Sequence, residues 1–185
     1  MRTFIASQPD KIFIDKITQF EKYLKVNRII DKIKIASSQN IHLTYIFLGD
    51  IVDEKNINNI KSIFSNFNNL PKIRFSAKKL GFFPCLQNPR VIWADIDKSA
   101  FNALIDIYKT IKKTLTDIGI YSNEEFVPHI TLGRVKKKIF EKEITCLKSF
   151  EFNQMDGIFE NIALFSSVLT PSGPIYNKLF EVKLI

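Results

Sequence analysis

The sequence predicts an α+β protein in which 185 residues form two similar lobes of one compact domain, residues 1–185. Two observations support this fold class. Short β-rich segments alternate with segments whose apolar residues recur at the helical period of 3.6 residues. In addition, a strand–helix–strand pattern occurs once in each half of the chain. Each pattern ends on one of the only two histidines, His42 and His129.

The first half starts with a predicted strand at 3–6, followed by a helix whose apolar residues share one face. These residues are Phe13, Ile17, Phe20 and Leu24. An apolar, β-rich run at 41–48 carries His42 and ends at the turn signal Gly49-Asp50. A second amphipathic helix and a strand at 72–83 follow. The apolar face of that helix consists of Ile57, Ile60, Phe64 and Phe67.

The second half repeats this order after a turn at 87–89. A strand at 91–96 leads into the most amphipathic helix of the chain, which we expect to end at Gly119 because glycine adopts the left-handed conformation that terminates helices. The apolar residues of this helix are Phe101, Leu104, Ile105, Tyr108, Ile111, Leu115 and Ile118. The remaining predicted elements are a strand at 129–135, a short helix at 140–147 and strands from 150 onward that break at the turn 170–174.

Composition indicates a folded, basic protein that needs neither disulfides nor metals to form a core. Apolar residues make up 45% of the chain, and the net charge is +8. That charge favours a polyanionic partner such as RNA, although a general richness in Ile, Lys and Asn also explains much of the lysine as solvated surface. Cys85 and Cys146 form no paired motif, which favours free thiols in a reducing compartment. With no apolar stretch near ~20 residues and no signal-peptide core, we expect a cytoplasmic monomer without membrane contact.

The two histidines stand in the same short motif, His-apolar-Thr. His42 is followed at two residues by Thr44, and His129 is followed at two residues by Thr131. On a strand, side chains at i and i+2 point to the same face, roughly 6.5–7 Å apart. Each motif therefore presents an imidazole beside a hydroxyl. Two such strands facing one another would surround one space with two of each group.

That set of groups suits hydrolysis of a phosphodiester. Water must lose a proton and the leaving sugar oxygen must gain one, and two imidazoles can do both near neutral pH. The hydroxyls of Thr44 and Thr131 can donate hydrogen bonds to the phosphate oxygens where charge develops. A lone histidine on a strand is usually structural, but two in matched motifs favour chemistry. A metal site formed by His42, His129 and a cysteine is the alternative, yet each motif offers one ligand, short of the usual cluster. We therefore expect no metal and no cofactor.

Two further candidates lie five residues after the histidines. Arg134 would supply a guanidinium for the phosphate, and Phe47 would stack on a nucleobase. Five is an odd offset, so a regular strand would turn both side chains away from the histidine face. A β-bulge would restore them to that face. Phe47 can also be a core residue, and the lysine run 136–138 is best interpreted as solvated surface that favours RNA approach.

At these residues the sequence resembles the two-histidine (2H) phosphoesterase superfamily, which has two H-x-T/S-x motifs. Within it, the chain is most similar to bacterial and archaeal RNA 2′,3′-cyclic phosphodiesterases, the family also described as 2′-5′ RNA ligases. The resemblance covers nearly the whole chain. It is carried by the segments 2–6, 40–49 (NIHLTYIFLG), 80–84, 89–94, 126–135 (FVPHITLGRV) and 169–176 (LTPSGPIY).

The resemblance implies a bilobal, pseudo-symmetric α+β fold, with two antiparallel sheets lining a central cleft and helices on the outside. It implies opening of RNA 2′,3′-cyclic phosphates, for example on tRNA fragments, to 2′-phosphates, with weak 2′-5′ ligation as the reverse reaction. By the same analogy His42 is the acid that protonates the leaving 3′ oxygen and His129 is the base for water.

The sequence also departs from the family pattern. Tyr45 replaces the usual Leu, Gly133 replaces the usual Ala, and the segment 32–39 lacks the Trp and Pro that often precede the first motif. These departures bear on substrate preference and leave the His and Thr set intact. The alternatives are therefore phosphodiesterases that act on 2′-5′ oligoadenylate or on small cyclic nucleotides, and a protein that binds RNA ends without cleaving them.

Overall fold

The computed structural model describes residues 2–50, 54–122, 125–171 and 173–185. Met1 of the predicted domain and Ser172 of the predicted turn 170–174 lie outside the described residues. The helices and strands in chain order are β1 (Arg2–Ser7), α1 (Lys11–Lys16), α2 (Thr18–Val26), β2 (Ile33–Ile35), β3 (Leu43–Asp50), α3 (Glu54–Ile63), β4 (Ile73–Phe83), β5 (Val91–Ala94), α4 (Lys98–Asp117), β6 (Ile130–Val135), α5 (Glu141–Lys148), β7 (Glu151–Phe159), β8 (Asn161–Thr170) and β9 (Gly173–Lys183). Short 3₁₀ helices cover Ile30–Lys32, Ser38–Asn40 and Phe64–Phe67.

The strands form two antiparallel sheets, which confirms the predicted α+β class. The first sheet has the order β3-β1-β8-β9, and the second has the order β2-β6-β5-β4-β7. In both sheets the strand of the histidine motif pairs with the strand that opens its half: β3 with β1, and β6 with β5. The repeated pattern in the sequence is therefore a repeated strand pairing in the structure.

A large core fills the space between the sheets and their helices. Helix α4 contributes Leu104, Ile111 and Leu115, and α1 and α2 contribute Phe13 and Phe20. Each fully buried side chain of this size stabilises the fold by about 1.5–3 kcal/mol relative to an exposed one. No helix within the described ranges is long and apolar enough to cross a bilayer.

A second, smaller apolar cluster covers the opposite face of the first sheet, which we call the cleft face. It consists of Phe4, Ala6, Ala163 and Phe165, with Tyr176 packed against it. The alternation of strand side chains explains this division: Ile5 lies in the large core, whereas its neighbours Phe4 and Ala6 point to the cleft. The first sheet thus has two apolar faces.

The structure bears out the prediction for α4 closely. The helix begins after Asp97, whose carboxylate accepts hydrogen bonds from the backbone N–H of Ala100 (3.2 Å) and of Ser76 on β4 (2.7 Å). One side chain therefore caps the helix and attaches it to the second sheet. The helix ends before Gly119, which has a φ of +80°.

Several boundaries differ from the predictions, and β2 was not predicted; three of the differences concern the path of the chain. The first predicted helix is two helices, α1 and α2, that meet at Ile17, where tighter hydrogen bonds to residues three back replace the α-helical ones. Gly49-Asp50 is not a turn, because Gly49 takes a φ of +72° inside β3 and the strand continues to Asp50. The chain also breaks at Glu160, where it passes from the second sheet to the first. No Gly or Pro marks that crossing.

Candidate active site

His42 immediately precedes β3 and lies at the cleft face. Its Nδ1 is 2.6 Å from the backbone carbonyl of Asn40, two residues earlier. Its ring packs against two aromatic rings that also contact each other, with centroid distances of 5.2 Å to Phe4 and 5.1 Å to Tyr176. The Tyr176 ring meets the imidazole edge-on, at an interplanar angle of 85°. The imidazole is therefore held by a hydrogen bond at one nitrogen and by contact with an aromatic pair.

His129 has the same arrangement in the second sheet. It immediately precedes β6, and its Nδ1 is 2.7 Å from the carbonyl of Val127, again two residues earlier. The stacked pair of Phe83 and Trp93 packs against the ring, at centroid distances of 4.9 Å and 5.9 Å. Each motif therefore positions its histidine through the backbone that leads into its strand.

These contacts determine which ring nitrogen is available for chemistry. A carbonyl oxygen can only accept a hydrogen bond, so Nδ1 of each histidine carries a proton and donates it. Nε2 is then the nitrogen that accepts a proton when the ring is neutral and donates one when it is charged. The two imidazoles thus offer one Nε2 each.

Thr44 and Thr131 lie on the same faces as their histidines, as the two-residue spacing predicts. Thr44 pairs with Ala6 of the cleft face, and Thr131 pairs with Trp93, which itself contacts His129. Both side chains are partly exposed. Within the described residues, neither hydroxyl has a hydrogen-bond partner in the protein. Both can therefore donate to a bound anion.

A β-bulge follows the threonine in each motif. In β3 the pairing with β1 shifts between Thr44 and Ile46, which leaves Tyr45 as the extra residue. In β6 the pairing with β5 shifts between Thr131 and Gly133, which leaves Leu132 as the extra residue. Two consecutive residues then point to the core, Tyr45 with Ile46 and Leu132 with Gly133, and all four are buried. Each motif therefore contains the β-bulge that turns the residue five positions after the histidine to the same face as the histidine.

Arg134 and Phe47 consequently share a face with the histidines. The positive charge of Arg134 reaches the imidazoles of both His42 and His129 and the hydroxyl of Tyr176. Within the described part of the chain, its guanidinium has no carboxylate partner. Phe47 is 54% exposed, and its ring lies 5.8 Å from that of Phe4. A core role for Phe47 is excluded by this exposure.

Burial determines the protonation of both histidines. It lowers the pKa of His42 to about 4; the hydrogen bond to Asn40 opposes this, and the charges of His129 and Arg134 lower the pKa further. Burial also lowers the pKa of His129, with the bond to Val127 opposing and the charge of Arg134 adding to the effect. Both rings are therefore neutral at neutral pH. Because the charge of His129 acts on His42, and that of Arg134 acts on both rings, the two motifs lie near one another.

Four aromatic residues that frame the histidines were not among the sequence candidates: Phe4, Phe83, Trp93 and Tyr176. Gly81 makes room for Trp93, because a β-carbon at Gly81 would lie 2.1 Å from the indole ring. The indole Nε1 is buried and has no hydrogen-bond partner within the described residues. Phe4 and Trp93 lie on the strands that open the two halves, but at different positions of the segments RTFIA and RVIWA, so the repeat does not single them out. Tyr176 lies on β9, which β1 and β8 separate from β3 in the first sheet. No local sequence pattern predicts its contact with His42.

Cys85 is exposed, and the Cys146 sulfur lies 3.2 Å from the hydroxyl of Tyr23 on helix α2. In the described ranges, no three His, Cys, Asp or Glu side chains lie close enough together to hold a metal ion.

Comparison with known proteins connects this geometry to a family. The family model described as LigT-like phosphoesterase matches residues 9–93 and 95–176. The RNA 2′,3′-cyclic phosphodiesterase of Methanocaldococcus jannaschii is 32% identical over 185 residues, which cover 98% of this chain and 99% of that protein. The RNA 2′,3′-cyclic phosphodiesterase of Thermotoga maritima is 33% identical over 189 residues, which cover 98% and 94%.

Solved structures show the same fold at lower identity. The protein TT0787 of Thermus thermophilus superposes with a TM-score of 0.82 at 22% identity, over 100% of this chain and 98% of that chain. E. coli LigT complexed with 3′-AMP superposes with a TM-score of 0.73 at 20% identity, over 99% and 97%. At this identity the likeness concerns the fold.

Proposed function

The chain belongs to the LigT-like phosphoesterase family, and from this premise we propose that it hydrolyses RNA 2′,3′-cyclic phosphate ends to 2′-phosphates. The relatives named RNA 2′,3′-cyclic phosphodiesterase, which align over nearly the whole chain, support both the substrate and the reaction. The single observation that carries the proposal is the repeated histidine geometry. Each Nδ1 is held by the carbonyl two residues earlier, so one Nε2 from each motif is available to the cleft.

The reaction needs one proton acceptor and one proton donor. We assign His129 as the base: its Nε2 takes a proton from water while the water oxygen forms a bond to phosphorus. We assign His42 as the acid: its Nε2 gives a proton to the 3′ oxygen while the bond from phosphorus to that oxygen breaks. The 2′ oxygen keeps the phosphate. The protons then exchange with solvent, and each such group contributes about 10²–10⁴-fold to the rate.

Three further residues stabilise the charge that develops on the phosphate. The hydroxyls of Thr44 and Thr131 donate hydrogen bonds to the non-bridging oxygens, and Arg134 supplies a positive charge without a competing carboxylate among the described residues. Removal of one such donor from a preorganised site costs about 10²–10³-fold in kcat. Phe47, exposed at the edge of the cleft face, stacks on the terminal base.

His42 is neutral in the free protein at neutral pH but must be protonated to act as the acid, and substrate binding supplies the reason for this change. The low pKa of His42 reflects burial in a cationic cleft, where Arg134 and His129 disfavour a further positive charge. A phosphate anion between the imidazoles neutralises Arg134 and favours the charged imidazole. The protonated acid therefore forms together with the substrate complex. The phosphate that reacts is therefore also the group that favours protonation of His42.

The cellular setting belongs to the same proposal. The substrates are RNA ends with a 2′,3′-cyclic phosphate, such as those of tRNA fragments, and the protein acts as a cytoplasmic monomer without cofactor. Weak joining of 2′-5′ ends, in which a 5′-hydroxyl replaces water as the nucleophile that opens the ring, belongs to the same proposal. Action on 2′-5′ oligoadenylate or on small cyclic nucleotides uses the same site.

The test is hydrolysis of an oligoribonucleotide with a 2′,3′-cyclic phosphate end, in chelator, with the product mapped as a 2′- or 3′-phosphate. We expect His42→Ala and His129→Ala each to lower kcat by about 10²–10⁴-fold. Gln87→Ala, an exposed residue in the turn before β5, is the matched control and should retain full activity.

Full activity in either folded histidine variant would refute the assignment of the pair. A 3′-phosphate product would show that the 2′ oxygen, and not the 3′ oxygen, is the leaving group. A further outcome is that the protein binds the RNA end without turning over this substrate, a 2′-5′ linked substrate or a small cyclic substrate. That result would show that it is an RNA-end-binding protein and not an enzyme.

A further inference from the structure

The edge strand of the second sheet places another cation beside Arg134. Strand β2 pairs with β6 so that Lys34 lies directly opposite Arg134. Residues directly opposite in an antiparallel pair point to the same face, with β-carbons about 4.5–5.5 Å apart. Because Arg134 faces the histidines, Lys34 projects from the same face, one strand farther out. The side chain of Lys34 is exposed.

The first sheet meets Lys34 at the turn between β8 and β9. A β-carbon placed on Gly173 would lie 3.2 Å from the Lys34 ammonium. Nearby, the side-chain amide of Asn40 donates a hydrogen bond to the carbonyl of Pro174 (2.9 Å). The chain between Lys34 and His42 therefore joins the two sheets along one end of the cleft. The ammonium lies at the rim of that end, between β2 and the turn.

The position of this cation suits a second phosphate of the substrate. An RNA end carries a phosphodiester on the 5′ side of its terminal nucleotide, whereas a free cyclic mononucleotide does not. Arg134 is next to both imidazoles and serves the reacting phosphate. Lys34 is displaced from it by one strand. A lysine ammonium also suits a backbone contact that carries no sequence information, because it acts as a point charge.

The lysine run 136–138 is another basic feature near β6, and it is oriented differently. Lys137 forms an ion pair with Asp31 at 2.9 Å, and Lys138 lies over the ring of Phe140 at 5.6 Å. These residues follow the end of β6 and do not share the pairing that fixes the direction of Lys34.

We propose that Lys34, beside Gly173 at the start of β9, forms a subsite for the phosphodiester immediately 5′ to the terminal nucleotide. The subsite makes the protein prefer oligoribonucleotide ends to free 2′,3′-cyclic mononucleotides. This inference rests on the proposed function and names its substrate class.

The experiment compares a trinucleotide ending in a 2′,3′-cyclic phosphate with adenosine 2′,3′-cyclic monophosphate. Lys34→Gln, which removes the charge without placing a carboxylate opposite Arg134, should raise the KM for the trinucleotide about tenfold and leave kcat/KM for the mononucleotide within about twofold. Lys34→Arg should retain most of the preference. In Lys34→Gln the slope of log kcat/KM for the trinucleotide against log salt should become shallower by about 0.7, the value for one contact to single-stranded nucleic acid. Lys109→Gln, on the exposed face of α4, makes the same charge change elsewhere and should have little effect.

Three results would overturn the subsite. Equal losses on both substrates would make Lys34 a ligand of the reacting phosphate. No loss on the trinucleotide would remove its role in binding. Equal kcat/KM of the unmodified protein for the two substrates would leave nothing for the subsite to explain, with the proposed function intact. Absence of turnover on either substrate would instead refute the proposed function.

Discussion

His42 and His129 show how a residue can be specified locally and still depend on distant contacts. The histidine–threonine spacing in the sequence predicts that imidazole and hydroxyl share a face, because strand side chains alternate. The spacing says nothing about the rings beside the imidazoles, since Tyr176 and Phe83 arrive from strands far away in sequence. The chemical groups were therefore predictable, whereas the environment that lowers the pKa values was not.

Substitution of Tyr176 tests this framing role. Tyr176→Phe keeps the edge-on ring beside His42, so we expect less than a tenfold loss of kcat/KM. Tyr176→Leu removes the ring, hydrates the imidazole and raises the pKa of His42 toward its ordinary value near 6.5. The loss should reach about 10–100-fold, with the alkaline limb of the profile of kcat/KM against pH, where the acid His42 loses its proton, moved to higher pH. Profiles that coincide for the Phe and Leu variants would show that the ring does not position His42.

At the scale of the element, the β-bulges decide which side chains enter the cleft. The sequence predicts both histidine strands, and the odd offset of Arg134 and Phe47 indicates that a bulge is needed. It does not locate that bulge, because the extra residues, Tyr45 and Leu132, have no special backbone requirement. Gly133 explains the second bulge in part: a β-carbon there would lie 2.9 Å from the carbonyl oxygen of Lys34.

Gly133→Ala should therefore displace β2 from β6. We expect the free energy of unfolding to fall by about 1–3 kcal/mol, the usual cost of overpacking. Because Arg134 is the next residue, kcat should fall as well, in molecules that remain folded. Gly119→Ala is the control: its φ of +80° also strains alanine, but it lies beyond α4, so stability should fall without loss of kcat. A Gly133→Ala protein with unchanged kcat would separate the bulge from the placement of Arg134.

At the scale of the whole molecule, the groups of the site lower the free energy of unfolding. Two imidazoles are held neutral by burial, and the indole Nε1 of Trp93 is buried without a partner among the described residues. An unpaired buried donor costs about 1–3 kcal/mol. The two-sheet architecture was predictable from the repeated pattern and the family resemblance. The passage between sheets at Glu160 was not, because no local residue preference marks it.

The burial of His42 predicts how stability depends on pH. The unfolded chain protonates His42 near pH 6.5, whereas the folded protein does so only at about 4. Between these values the unfolded state binds more protons, so the free energy of unfolding falls as the pH is lowered, by up to about 3 kcal/mol. Chemical unfolding of wild type and His42→Asn from pH 7.5 to 4 measures this component, which the variant should lack. Parallel curves for the two proteins would show that His42 is not buried as described.

The doubled bulge has a consequence for regiochemistry. His42 and Thr44 have the same local geometry as His129 and Thr131, and an in-line displacement at phosphorus is equally symmetric, since the entering and leaving oxygens are interchangeable. Two matched motifs alone would accept a cyclic diester equally well in two orientations. The match ends where the bulges deliver unlike side chains, a guanidinium at 134 and a phenyl ring at 47. With the proposed stacking on Phe47, the base has only one place to bind, so we expect one orientation to dominate and a single ribose oxygen to depart.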